Sequence, residues 1–212
     1  MALGLREPAE LARQVEEHPQ LPAASCERVS GYGVMGLPFG SRHVLGLRRW
    51  TASSAGEGFT PIWHPDPAGR WTFYETVRSE VACTRYFGAE VEQVRTGPIA
   101  LDWEGERRVH VHTTDGVGDW TIELGSTPIA RLISAVGSAL PMAAWRSRRI
   151  LSAMGRVAGW SLRAGTVKLT GMTSNGQDFY IPQRGIFAIG RVFIIPPTGE
   201  VPVAVRATEV PR

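Results

Sequence analysis

The 54 residues from Leu124 to Gln177 contain no Asp and no Glu. At the chain average of 20 acids in 212 residues, such a stretch would hold about five. It holds instead Arg131, Arg146, Arg148, Arg149, Arg156, Arg163 and Lys168. Its first two-thirds is apolar with helical spacing, whereas the segments on either side alternate with the two-residue period of strands. The change of period predicts a β-rich body interrupted by a cationic, amphipathic helical segment.

The helical signals are local and specific. Thr127-Pro128 reads as an N-cap followed by proline in the first helical turn, where a missing N–H costs nothing. Ile129, Leu132, Ile133, Val136 and Leu140 then form one apolar helical face, and Pro141 ends it. A second helix is predicted over about 143–158. There Ile150, Leu151, Met154 and Val157 are apolar, and Arg146, Arg149 and Arg156 lie mostly opposite. Three roles fit such an insert: a lid over an apolar ligand, an element that docks on anionic membrane, or plain packing on a sheet. In the last, the arginines would pair with acids such as Glu90, Glu92 or Glu104.

Around it, strands are expected at roughly ten-residue spacing with turn signals between them. FTPIWH and RWTFYETV flank Pro65-Asp66-Pro67-Ala68-Gly69, the chemistry of a hairpin turn. AEVEQVR, IALDWEG, RRVHVHTT and DWTIELGS follow, with Ile99, Leu101 and Trp103 on one face and Trp120, Ile122 and Leu124 on another. After the insert, GTVKLTGM and DFYIP are joined by Asn175-Gly176, a strong hairpin signal. GIFAIGRVFII supplies a last strand. The expected fold is mainly β: an antiparallel, calycin/lipocalin-like barrel or curved sheet with an inserted pair of amphipathic helices. The expected organisation is an N-terminal helix and linker over 1–30, one barrel-like domain over 31–195 with its helical insert at 128–163, and a Pro-rich tail over 196–212.

Composition narrows the class. A net charge of +3 is too small for a general nucleic-acid binder. Lys168 is the only lysine among 23 basic residues, so nearly all the positive charge is guanidinium. The two cysteines, Cys26 and Cys83, form no Cys-x-x-Cys or Cys/His cluster, which argues against structural zinc. The first residues carry Glu7, Glu10, Glu16 and Glu17 with no apolar core, unlike a signal peptide. The most apolar stretch, 129–145, is short of the ~20 residues that span a bilayer and contains Arg131 and Pro141. A cytoplasmic protein, at most peripheral to a membrane, is expected.

The hairpin from Trp63 to Glu75 is the densest polar and aromatic cluster. His64 has the chemistry of a general base, Asp66 or Glu75 that of a carboxylate orienting it, and Tyr74 that of a donor to an oxygen. Pro-Asp-Pro-x-Gly is equally good turn chemistry. His110-Val111-His112 places two imidazoles on one strand face, where His64, Asp119 or Glu123 could complete a metal site. Arg108 and Thr114 continue that face, which reads as a solvated side, so no metal is assigned. Lys168 shares a face with two threonines and is expected to point outward. There is no P-loop, no G-x-G-x-x-G and no nucleophile elbow, hence no expected cofactor.

Tyr-Gly-Val-Met-Gly-Leu-Pro-Phe (32–39), Trp-His-x-Asp-Pro-x-Gly-Arg-Trp-Thr-Phe-Tyr (63–74), Arg-Tyr-Phe-Gly (85–88) and Ile-Pro-Gln-Arg-Gly-Ile-Phe-Ala-Ile-Gly-Arg (181–191) together resemble an uncharacterised bacterial protein family. The layout is also similar, more distantly, to lipocalin-like proteins of the carotenoid-hydratase type. That resemblance implies a barrel that binds a hydrophobic small molecule and cyclises, isomerises or hydrates it without a cofactor. His64, Asp66, Tyr74 and Glu75 would supply acid-base groups, and Trp63, Trp71, Tyr86, Trp103 and Trp120 the ligand-binding walls. The alternative is a non-catalytic module that docks on anionic membrane or a partner protein through the Arg-rich helices. A second copy of the chain is a further candidate partner.

Overall fold

The computed structural model describes residues 6–21, 23, 26–38, 44–114, 118–161, 167–182 and 188–195. Strands β1 (Val29–Pro38), β2 (Val44–Ser53), β3 (Pro61–Pro65), β4 (Trp71–Glu75) and β5 (Val91–Thr96) form a five-stranded sheet in that order. At Gly97-Pro98 the chain leaves it. Strands β6 (Ile99–Glu104), β7 (Arg108–Thr113) and β8 (Asp119–Gly125) then run as an antiparallel meander. After the helices come a small hairpin, β9 (Thr170–Met172) with β10 (Asp178–Tyr180), and β11 (Ala188–Ile195), which pairs with β8. The second sheet is four-stranded, in the order β11-β8-β7-β6. The Pro-rich tail expected over 196–212 lies outside the described residues.

The mainly β reading stands, with two corrections. The two large sheets are separate, and among the described residues no pairing closes them into a barrel. The sheets are also not wholly antiparallel, because β5 runs parallel to β4. Parallel neighbours need a crossover. Residues 76–90 supply it, with helix α2 (Thr84–Phe87) and a 3-10 turn at Gly88–Glu90. One turn of helix has no periodicity, so this segment carries no helical signal in the sequence.

The sheets face each other across the main core. Leu37, Leu45, Leu47, Ile62 and Tyr74 come from the larger sheet, and Val109, Val111, Trp120 and Ile122 from the smaller. Val34, Ile99, Leu101, Trp103 and Leu124 pack around them. Each large apolar side chain removed from water in this way stabilises the fold by roughly 1.5–3 kcal/mol. The space between the sheets is therefore occupied by side chains, as in a sandwich.

The other face of the larger sheet is covered by the crossover. Phe59, Phe73, Ala82 and Cys83 are buried there, with Trp50, Trp63, Trp71 and Phe87 against them. Arg48 lies within this layer, its guanidinium 5.1 Å from the centre of the Trp63 ring and its Nη1 donating to the carbonyls of Leu47, at 2.8 Å, and Val34. Burial pushes this guanidinium down to about 10, against the opposing pull of Cys83. Gly33 makes the room, since a Cβ there would stand 2.2 Å from the Leu47 carbonyl oxygen and 3.0 Å from the Arg48 side chain.

Helix α1 (Pro8–Glu17) is tied to both sheets. Ala9 N–H donates to the Glu106 carbonyl at 3.1 Å, and Arg107 holds Glu7 through two bonds of 2.6 and 2.7 Å. At its other end Glu16 accepts from Arg49 at 2.9 and 3.0 Å and from the Tyr32 hydroxyl at 2.9 Å.

Candidate functional site

The hairpin forms where its turn chemistry placed it, with Gly69 at φ 82° and Pro61–Pro65 paired to Trp71–Glu75. Alternation along these strands then distributes the candidate acid-base groups to different surroundings. His64 and Tyr74 share the face that looks toward the smaller sheet, and both are buried. They are diagonal neighbours, since His64 lies opposite Thr72 and Tyr74 opposite Ile62. Glu75 is fully buried on the reverse face. Its two carboxylate oxygens accept from Thr84 N–H and from the Thr84 hydroxyl, each at 2.9 Å, and anchor the start of α2. Asp66 lies in the exposed turn, where Oδ1 accepts from Ala68 N–H and Arg70 N–H at 2.9 Å and Oδ2 from Arg70 Nε at 2.7 Å. Those bonds, the Arg70 backbone bond first, hold the Asp66 carboxyl below its ordinary value.

The structure thus divides the expected set of His64, Asp66, Tyr74 and Glu75 among three surroundings. One member closes a turn, one caps a helix, and a sheet separates that cap from the buried pair. The same sheet divides the expected aromatic walls. Trp103 and Trp120 belong to the core between the sheets, while Trp63 and Trp71 lie under the crossover. Trp63 stacks on Phe73 at 5.6 Å and 13°, and both meet the edge of Phe87. Tyr86 sits on α2 and donates its hydroxyl to Glu27 at 2.6 Å. Period-two alternation told which of these residues share a strand face, but not which layer each face would meet.

The helical insert presents a different surface. Helix α3 (Pro128–Ala139) begins as expected, with the Thr127 side chain accepting from Ala130 N–H at 3.1 Å. It buries Ala130, Ser134 and Gly137. Ile129 and Val136 sit one position before Ala130 and Gly137, roughly 100° round the helix, and Leu132 sits two before Ser134. Ile129, Leu132 and Val136 are exposed, at 46, 65 and 49%. Three of the five residues of the apolar stripe are therefore turned outward, while Ile133 is half-buried and Leu140 packs on the insert's own core; small side chains make the packed face of α3.

The second predicted helix is broken into a 3-10 turn at Ala144–Arg146 and helix α4 (Arg148–Ser161). A third core holds this insert together: Trp145, Leu151 and Leu169, with Leu140, Met154 and Val167 against them. Gly155 allows α4 to meet the 167–169 segment, since a Cβ there would stand 2.3 Å from the Val167 carbonyl oxygen. Segment 167–169 is not strand, and Lys168 is exposed upon it. The insert is anchored to the body through its hairpin: Asn175 N–H and the Ser174 hydroxyl donate to the Tyr86 carbonyl at 3.2 and 3.0 Å.

With Leu151, Gly155, Ala158 and Gly159 buried, α4 directs Ile150, Ala153, Val157 and Trp160 away from its packed side. Val157 is 58% and Trp160 85% exposed. Arg149 and Arg156 each precede an exposed apolar residue and line one border of this stripe. Arg148 pairs with Asp178. Among the described residues, Arg131, Arg146, Arg149 and Arg156 make no ion pair. Two of the acids expected as their partners pair elsewhere: Glu104 lies 3.7 Å from Arg108 and Glu92 4.0 Å from Arg70. No helix among the described residues is long and apolar enough to cross a membrane. Comparisons with protein-family models, with curated proteins and with solved structures find no match to this chain.

Proposed function

We propose that this protein is a peripheral docking module that binds an anionic lipid surface through the helical insert, with α4 lying in the headgroup region. The observation that carries the reading is the outward row Ile150, Ala153, Val157 and Trp160, bordered by Arg149 and Arg156. An interfacial helix needs this arrangement: apolar side chains and an indole to enter the boundary, and cations at the phosphate level. Arginines near an anionic leaflet contribute about 1 kcal/mol each, and acids in the same segment would oppose them. Across Leu124–Gln177 there are none. The exposed row Ile129, Leu132 and Val136 on α3 adds apolar surface to the same insert. The competing reading, an enclosed hydrophobic ligand, asks for empty apolar space between the sheets, where the described side chains interlock.

Co-sedimentation with vesicles of phosphatidylcholine alone and of phosphatidylcholine with phosphatidylserine tests the proposal. Binding is expected to the anionic vesicles and to weaken steeply with salt, because exposed charges are screened within about 8 Å at physiological ionic strength. Arg149→Glu with Arg156→Glu is expected to reduce binding more than tenfold. Trp160→Ser reduces it severalfold while leaving the melting temperature nearly unchanged. Equal binding to both vesicle types, binding indifferent to salt, or none at all overturns the reading.

A further inference from the structure

The outer face of the four-stranded sheet carries a cluster that the docking reading does not use. Val109 and Val111 of β7 enter the core, so Arg108, His110 and His112 point the other way. Register aligns each with its neighbours. Arg108 lies between Glu104 and Glu123, His110 between Asp102 and Thr121, and His112 between Ala100 and Asp119. The first row is an ordinary solvated arrangement of charges. The next two are not, because each imidazole reaches diagonally to the carboxylate of the other row. His110 Nε2 is 2.6 Å from Asp119 Oδ1, and His112 Nδ1 is 3.4 Å from Asp102 Oδ2. The imidazoles lean together as well. Two residues on one strand face are about 6.8 Å apart by backbone rise, yet the ring centres are 5.1 Å apart.

We propose that His110, His112 and Asp102 bind a divalent first-row transition-metal ion, with Asp119 as the carboxylate that orients His110. One ligand atom from each of the three lies within 4.8 Å of the others. Nitrogen and oxygen atoms at about 2.0–2.2 Å from a tetrahedral ion are ~3.4 Å apart. Asp102 is exposed and both histidines are half-buried, so their side chains have room to turn toward that spacing on strands that pairing holds fixed. A second observation points the same way: His112 Nδ1 is shielded from solvent, and the Asp102 carboxylate 3.4 Å away makes no hydrogen bond with it. An imidazole nitrogen that water does not reach, beside a carboxylate it does not bond, is well placed to share a metal ion with it. Two imidazoles with a carboxylate suit zinc, cobalt, nickel or copper and disfavour calcium and magnesium, which take oxygen ligands. A carboxylate on the remaining imidazole nitrogen fixes the tautomer that presents the lone pair to the metal. Three protein ligands on a solvent-facing sheet leave a coordination position for water or an exogenous group.

The test uses untagged full-length protein, stripped with a chelator and titrated with Zn²⁺ against a chromophoric competitor. Co²⁺ then reports the coordination sphere through its visible absorption. One Zn²⁺ per chain is expected, undisturbed by millimolar Mg²⁺ or Ca²⁺. His110→Ala and His112→Ala should each weaken binding at least 100-fold and abolish the Co²⁺ bands. Asp119→Asn should cost about tenfold, the lower end for an outer carboxylate. Circular dichroism checks that the variants keep the sheet. Zn²⁺ binding that is unchanged in the His110→Ala/His112→Ala double variant, or absent from the wild type, overturns the site. An Asp119→Asn protein with wild-type affinity overturns the orienting role.

Discussion

The β body and helix α3 of the insert bury opposite kinds of residue. In the body the large side chains go inward: Trp120 is 3% exposed and Ile122 is fully buried. In α3 the interior takes Ala130, Ser134 and Gly137, and Leu132 is left 65% exposed. Both regions are amphipathic in sequence, and in the body the pattern predicts burial correctly. In α3 it marks mostly a surface. Amphipathicity states that two faces differ. It does not state which one meets protein, because that depends on what lies beside the element.

The contrast is sharpest in the response to truncation. Trp120→Ala should cost about 3–5 kcal/mol through lost burial and a cavity, seen as a large fall in the urea midpoint. An exposed α3 residue such as Leu132→Ala should stay within about 0.5 kcal/mol. If Leu132→Ala were as damaging as Trp120→Ala, the insert's apolar face would be a packed core and the comparison would fail. A somewhat smaller effect is expected where the insert is packed tightly. Gly155→Ala places a methyl 2.3 Å from the Val167 carbonyl, and overpacking of this kind typically costs 1–3 kcal/mol. Hydrogen exchange should show the loss in α4 and the 167–173 segment before the two sheets.

The smallest effect concerns Glu75 and is a matter of pH. Burial raises its carboxyl above the ordinary 4.5, outweighing the bonds from Thr84 and Cys83 that favour the carboxylate. The folded protein therefore holds this proton more tightly than the unfolded chain does. The resulting stabilisation is present below about 4.5 and is lost as pH rises through the elevated value. Glu75→Gln cannot ionise, and its amide can still accept from Thr84 N–H while donating to the Thr84 hydroxyl. The stability difference, wild type minus Glu75→Gln, should fall as pH rises from 4.5 toward 7 in parallel denaturation series. A difference that grows with pH would mean that Glu75 acts chiefly as a charged acceptor.

Much of the local structure was legible. The α3 start at Thr127-Pro128, the hairpin around Asp66 and Gly69 and the Asn175-Gly176 turn rest on the conformational limits of single residues. The crossover at 76–90 was not legible, since its stability comes from Phe73, Trp63 and Glu75, distant partners that no local pattern announces. The proposed metal-ligand set is half visible in the sequence as His110-Val111-His112. No local pattern joins Asp102, on β6, to that pair, and only strand register places Asp119 beside His110.

The sequence by itself determined the alternation of strands, the helical insert with its acid-free cationic character, and the turns that punctuate both. Periodicity, capping and φ preferences act within a few residues, so they can be read without coordinates. Only the tertiary structure decided that two sheets pack face to face instead of closing, that β5 runs parallel to β4, and that Ile129, Leu132 and Val136 of α3 stay outside. Those outcomes depend on which surfaces meet across long separations in the chain, and every apolar face is equally ready to be buried until its neighbours are in place.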